Sequence, residues 1–382
     1  MRILMVWPNL ETTNACGVRG LAFLRAWREE GADVAIIAHP PTGGGAIPAE
    51  ADARVVRLFH DKADLWRLPW SDARLDREIR RHKPDVVVAS TPAVTVGWQA
   101  ARAAARARVP FVADVRDLSV EGLRAANGDR LAYRLLDRME REVFARAAAV
   151  TPVSDIMGDD LVSRYGVPRG KIHVVPNGHT FGDAEPSNVA KDIDAILVDT
   201  DLDASRRPLE VVDAYARVKR EKPDAVFAFL GWRDDLPMSG PVKAKIAALG
   251  LAGSVRLLPR VERAEVRATL ERSRVGILSL ANHPAYRSAV GAKTYEYLAL
   301  GLPVCVLGLP GDSEARRLVE GAGVGLFASD PDAFADHLTK LIANDAYRER
   351  LGRKAREVAK AFDRGSLARR ALVEAIAPLA RR

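Results

Sequence analysis

Short apolar, β-branched runs alternate with longer helical patterns along almost the whole chain, and this rhythm limits the fold more than any other feature. "RILMVW" (2–7), "DVAIIA" (33–38), "ARVVRLF" (53–59), "DVVVAS" (85–90), "PFVADV" (110–115), "AAVTPVS" (148–154) and "KIHVVP" (171–176) read as strands. Helical patterns cover 18–30, 73–83, 93–107 and 121–147. Runs this continuously apolar are strands buried on both faces, and helices between them imply parallel sheet covered on each side.

"NGHTFGDAEPSNVAKD" (177–192) interrupts the rhythm with Gly, Pro, Asn and Ser and reads as a linker. A second series follows it: "AILVD" (195–199), "AVFAFLG" (225–231), "SVRLLP" (254–259), "VGILSL" (275–280), "PVCVLG" (303–308) and "VGLFA" (324–328). Helices are expected at 207–220, 241–249, 262–272 and 312–320. At 382 residues the chain suits two domains better than one. We therefore expect an α/β protein of two doubly wound, Rossmann-like domains. The first domain is expected at 1–180 and the second at 190–365; a C-terminal helix at 366–382 can pack back on the first. Two such domains would present their ligand-binding edges across a cleft.

Composition removes several classes. The chain is 48% hydrophobic and 28% charged, as in soluble globular proteins. No stretch approaches the ~20 apolar residues of a membrane helix, and "MRILMVWP" is too short for a secretory core. Cys16 and Cys305 are far apart and form no metal pattern with the histidines, so a reducing cytoplasm is the expected setting. The net charge of +8 suits anionic partners. No nucleic-acid-binding signature accompanies it, so no nucleic acid partner is expected.

"GAKTYEYLALGLPVCVLG" (291–308) sets Lys293 and Glu296 at the start of a helix that runs into a buried strand. Read alone, the pair fits either a solvated helix start or a binding site. The surrounding motifs bear on that choice. "KPDVVVASTP", "VPFVADVRDL", "AAAVTPVSDIMGDDLVSRYGVPRGKIHVVPNG", "KTYEYLALGLPV" and "DSEARRLVEGAGVGLF" occur in an order that resembles the family-4 retaining glycosyltransferases of the GT-B fold, over almost the full length.

The resemblance implies that the glutamate of K-x-x-E-Y, here Glu296, grips the ribose hydroxyls of a nucleotide-sugar. A carboxylate suits a vicinal diol because its two oxygens accept both hydroxyl hydrogens. It also implies that Lys293 and Arg206 act as catalytic cations on the leaving diphosphate. The helix start near Ala289, Val290 and Gly291 would offer amides to phosphate oxygens. Ser288 stands where relatives usually carry a second acid. Asp201 stands where they carry an arginine, so it must point elsewhere, bind a cation, or weaken the site. Asp199 and Asp201 in "DTD" read as solvated acids rather than a metal site, and no metal or cofactor is expected beyond the nucleotide-sugar substrate.

On the acceptor side, Gly17 and Gly20 of "NACGVRG" fit either close approach to a ligand or a tight turn. Arg116 and Asp117 fall where relatives place a histidine-aspartate pair, and also read as an ion pair at a strand end. "LWRLPWSDARLDREIRRHKP" (65–84), with Trp66 and Trp70, suggests peripheral contact with the inner face of a membrane or a loop with buried tryptophans. The expected activity is metal-independent, retaining transfer from a nucleotide-diphosphate-sugar to a glycan, lipid-linked or small-molecule acceptor. The alternatives are a sugar-nucleotide epimerase of the same fold and a non-catalytic nucleotide- or partner-binding relative.

Overall fold

The computed structural model describes residues 1–12, 15–41, 46–58, 68–91, 93–182 and 189–380; the side chains of 68–71 and 125–127 lie outside the description. The chain divides into two compact units. Unit 1 comprises Met1–Asn177 with Arg364–Arg382, and unit 2 comprises Gly178–Asp363. The chain thus leaves unit 1, builds all of unit 2, and returns.

The strands of unit 1 are β1 (Arg2–Trp7), β2 (Asp33–Ala38), β3 (Arg54–Val55), β4 (Val86–Ser90), β5 (Phe111–Val115) and β6 (Ala149–Pro152). They form one parallel sheet in the order β3-β2-β1-β4-β5-β6. Its helices are α1 (Ala15–Glu29), α2 (Leu68–His82), α3 (Val94–Ala107), α4 (Ser119–Asn127), α5 (Leu131–Arg146) and α6 (Asp155–Tyr165). Strands β4 and β5 are buried at every position because helices cover both faces of the sheet. The single helix expected over 121–147 is two, broken at Gly128, whose φ of 71° ends α4. The strand expected at 171–176 is an irregular segment. It makes one bridge, Ile172 to Val150, and donates to β6 from the His173 N–H to the Val150 carbonyl at 2.9 Å and from the Val175 N–H to the Pro152 carbonyl at 2.8 Å. Of the strand expected at 53–59, the described residues 53–58 form strand only at Arg54–Val55, and 59 lies outside the described residues.

Unit 2 repeats the design with β7 (Ile193–Val198), β8 (Phe227–Trp232), β9 (Val255–Pro259), β10 (Ser273–Leu280), β11 (Val304–Gly308) and β12 (Gly325–Ala328), ordered β9-β8-β7-β10-β11-β12. Its helices include α7 (Pro208–Glu221), α8 (Ser239–Ala248), α9 (Arg263–Glu271) and α10 (Ala292–Ala299). In both sheets the strand order reverses beside the first strand, between β1 and β4 and between β7 and β10. In α/β sheets of this kind, such a reversal at the carboxyl ends of the strands is the usual place for a ligand.

After Asp363 the chain re-enters unit 1 as a helix over Arg364–Ala371. Leu367, Leu372 and Ile376 join Trp7, Phe23 and Trp27 in one core cluster, and the Trp27 indole N–H donates to the Ala368 carbonyl at 2.8 Å. Among the described residues no helix is long and apolar enough to cross a membrane.

Candidate functional site

The loop after β7 and the segment after β10 meet at the switch point of unit 2, where the Ala281 N–H donates to the Ser205 carbonyl at 2.6 Å. Helix α10 is fastened to the same edge. Its Tyr297 hydroxyl accepts from the N–H of Val198, the last residue of β7, at 3.1 Å. Gly276 in β10 permits this seat, because a Cβ there would stand 2.4 Å from the Tyr297 ring.

Glu296, one residue before Tyr297, is 1% exposed, yet its carboxylate is fully engaged. Oε1 accepts from Arg263 Nη1 at 2.6 Å and Oε2 from Lys293 Nζ at 3.3 Å. The two cations form the outer layer, with side chains 25% and 32% exposed. Burial of a carboxylate is costly unless it is paired, and here two donors supply the pairing. Lys293 lies one helical turn before Glu296, so their contact follows from sequence spacing. Arg263 comes from the start of α9 and is visible only in the fold; sequence reasoning missed it.

The helix start is displaced from its expected place. α10 begins at Ala292, after Gly291 in an extended conformation without a side-chain cap. The Ala289 N–H is bonded to the Tyr286 carbonyl at 3.0 Å, so that amide is not available to a phosphate. Ser288 and Val290 are buried between β10 and α10.

The loop after β7 is organised by its acids. Asp199 Oδ1 accepts the N–H groups of Asp201 at 2.8 Å and Leu202 at 3.0 Å. Asp199 Oδ2 lies 3.2 Å from Arg206 Nε, an ion pair without hydrogen-bond alignment. Asp203 closes the next turn, accepting from the Ser205 N–H at 2.8 Å and the Ser205 hydroxyl at 2.5 Å. Asp199 is therefore a loop-former rather than a solvated strand-end acid: two amides and a guanidinium need its charge. Asp201 is exposed overall, but partial desolvation of its carboxyl and the neighbouring charge of Asp199 raise its pKa against the pull of Arg206. Among the described residues no three His, Cys, Asp or Glu side chains converge on a metal position. Arg207, also missed, takes a left-handed φ of 51° as the cap of α7 and bonds Glu210 at 3.3 Å.

On unit 1 the carboxyl edge is dominated by residues that the sequence did not single out. Asp114, at the end of β5, accepts Arg19 Nη2 at 2.7 Å, Thr151 Oγ1 at 3.0 Å and Ser90 Oγ at 3.1 Å, all buried. Arg19 also donates to the carbonyls of Val175 at 3.0 Å and Pro176 at 2.8 Å, tying the end of unit 1's first segment to α1. Arg116 turns inward against Cys16 and Asp114. Burial works against its charge, but Cys16 and the acids raise its pKa overall, and burial likewise pushes the Cys16 thiol up. Asp117 is exposed and, like Asp114, attracts the Arg116 charge, so Arg116 is shared between Asp117 and the buried groups behind it.

Gly17 lies within the first turn of α1, and a Cβ there would stand 2.1 Å from the Glu11 carbonyl. Gly20 packs on the Trp7 indole in the same way. Their lack of a side chain lets the chain approach itself, which is a structural use rather than room for a ligand. Trp66 and the side chain of Trp70 lie outside the described residues.

Two family models match the chain: a glycosyl transferase 4-like domain over 15–178 and glycosyl transferases group 1 over 185–358. A curated D-inositol 3-phosphate glycosyltransferase of Nocardioides sp. is 25% identical over 304 residues, covering 72% of this chain and 64% of that protein. Its counterpart from Xylanimonas cellulosilytica is 28% identical over 283 residues, covering 70% and 65%. The chain thus matches less than two thirds of the length of these relatives. Among solved structures, sucrose-phosphate synthase from Thermosynechococcus elongatus aligns with a TM-score of 0.76 at 16% identity, over 97% of both chains. Anabaena HepE in complex with UDP aligns with a TM-score of 0.75 at 17% identity, over 99% of this chain and 100% of that one.

Proposed function

Because the chain belongs to the family-4 glycosyltransferases of the GT-B fold, we propose that it transfers a sugar, with retention, from a nucleoside diphosphate donor to a hydroxyl acceptor. The observation that carries this reading is the Glu296 carboxylate at the switch point of unit 2, held with Lys293 on a helix fastened to β7. In this reading Glu296 takes the ribose diol. Lys293 and Arg206 meet the diphosphate, where a cation held in place lowers the energy of developing charge. Amides of the first turn of α10 add phosphate donors, beginning at Ala292 rather than Ala289. Asp199 then positions Arg206 instead of binding a metal, and transfer proceeds without an added divalent ion.

The curated relatives are named for D-inositol 3-phosphate, which makes a phosphorylated polyol the first acceptor to try. A lipid-linked acceptor has separate support. Helix α5 presents Leu131 and Leu135, 78% and 61% exposed, beside exposed Arg130, Arg134 and Arg138. Apolar anchors flanked by arginines suit an anionic membrane surface.

The test begins with calorimetry of UDP, GDP, ADP and dTDP, followed by product analysis with the cognate sugar nucleotide. Retained anomeric configuration in the product, with turnover unchanged by a chelator, supports the reading. Inversion, epimerised donor without transfer, or binding without any turnover would each replace it. Co-sedimentation with phosphatidylglycerol vesicles, lost in Leu131→Glu/Leu135→Glu, checks the membrane contact.

A further inference from the structure

Glu296 lies beneath Arg263 and Lys293, and Arg263 does more than cover it. One guanidinium nitrogen, Nη1, holds Glu296 at 2.6 Å, while Nη2 donates to Thr180 Oγ1 at 2.9 Å. The same guanidinium lies 5.5 Å from the centre of the Phe181 ring. Residues 178–181 are the first of unit 2 after the chain leaves unit 1. They are also held by the His179 N–H on the Phe362 carbonyl at 2.9 Å, a His179 Nε2 contact to the Ala359 carbonyl at 2.9 Å, the Phe181 N–H on His179 Nδ1 at 3.3 Å, and Arg267, 5.7 Å from the centre of the Phe181 ring. One side chain therefore joins the candidate ribose carboxylate to the entry segment of the unit.

A diol cannot reach a carboxylate that is 1% exposed unless something above it moves. Lys293 is anchored on the helix that carries Glu296, and its proposed place is beside the diphosphate. Arg263 reaches in from α9, so it can leave without disturbing α10. We propose that Arg263 is a displaceable latch: a nucleoside diphosphate takes its place on Glu296, and its departure loosens Thr180 and Phe181, so that donor occupancy is signalled to the entry segment 178–181. This rests on the donor reading of Glu296 given above. Arg263 is here a positioning residue, acting through Glu296 and Thr180.

The latch has a thermodynamic consequence. If the open form is about a tenth of the empty protein, the apparent affinity is reduced tenfold, and removing the latch restores it. Calorimetry of UDP, GDP, ADP and dTDP on the wild type and Arg263→Ala measures this, with hydrogen exchange of the peptide spanning 178–182 followed in parallel. The expected result is about tenfold tighter binding in Arg263→Ala. Exchange at 178–182 should rise on adding nucleotide to the wild type, and should already be fast in the empty variant. Thr180→Val, a change at an exposed position, should speed exchange in the empty protein while leaving the Glu296 contact in place.

Weaker binding in Arg263→Ala would make Arg263 a direct ligand contact and overturn the latch. Unchanged exchange in the empty Arg263→Ala and Thr180→Val proteins would overturn it without reference to any ligand. If no nucleotide binds the wild type or the variant, the donor reading itself falls. If nucleotides bind both proteins equally, the latch alone falls.

Discussion

Glu296 sits under opposing demands. In the empty protein its charge needs Arg263 and Lys293, and with donor bound it would need the ribose hydroxyls. Glu296→Gln keeps the shape and one acceptor oxygen but removes the charge that strengthens each hydrogen bond. Donor affinity should fall by roughly 1.5–3 kcal/mol, read by calorimetry, with the far-ultraviolet dichroism unchanged. Equal affinity in wild type and variant would remove the ribose assignment. Lys293 and Glu296 were legible because three residues on a helix fix their contact. Arg263 was not, since only the tertiary fold of unit 2 brings a residue 33 positions away to Glu296. The Arg19–Asp114 pair was hidden in the same way, at a separation of 95 residues.

At the scale of elements, the seat of α10 depends on the missing side chain of Gly276. A methyl group there would collide with the Tyr297 ring and lift the helix from β7. Gly276→Ala should therefore weaken donor binding about tenfold or more although it touches no ligand, and should lower the thermal midpoint by overpacking. A variant that binds normally would show that α10 tolerates the shift.

Helices α4, α5 and α6 share a different fastening. Glu140 on α5 accepts from the Ser119 N–H at 3.1 Å and the Tyr165 hydroxyl at 2.6 Å, and burial raises its pKa to about 7. The folded protein therefore keeps a proton there that the unfolded chain has lost. Stability contributed by this group is fully present below the unfolded value near 4.5 and declines as pH rises to about 7. The loss is on the order of 3 kcal/mol. Glu140→Gln keeps the neutral form, so it should flatten the fall in denaturation midpoint across that window. A slope equal to wild type would place the titration elsewhere. The break at Gly128 and the irregular 171–176 segment escaped the sequence pattern for related reasons. Apolar periodicity continues through a glycine turn, and an apolar segment beside a sheet edge reads like the strand it lies against.

The whole molecule shows why the doubly wound class was legible and the path between the units was less so. Strand identity came from apolar runs, and parallel order followed from helices between them. The return of the chain to unit 1 depends on where Leu367, Leu372 and Ile376 find their partners. Because those partners belong to unit 1, Leu372→Asp/Ile376→Asp should lower the melting of unit 1 and leave unit 2 intact. Calorimetry should then resolve two transitions where only the earlier one moves. Equal shifts of both would indicate that the units unfold together.

That return also orders events on the ribosome. The first 177 residues emerge with the α1 face of their sheet lacking the helix that finishes it, and Trp27 lacking its partner carbonyl at Ala368. All of unit 2 must be synthesised before that helix appears, a delay of roughly 10–40 s at ordinary elongation rates. Unit 2, with no such dependence on later sequence, is positioned to fold during the wait. Its first residues are those that Arg263 holds, so the proposed latch can assemble on the nascent chain while the sheet of unit 1 still lacks its returning helix.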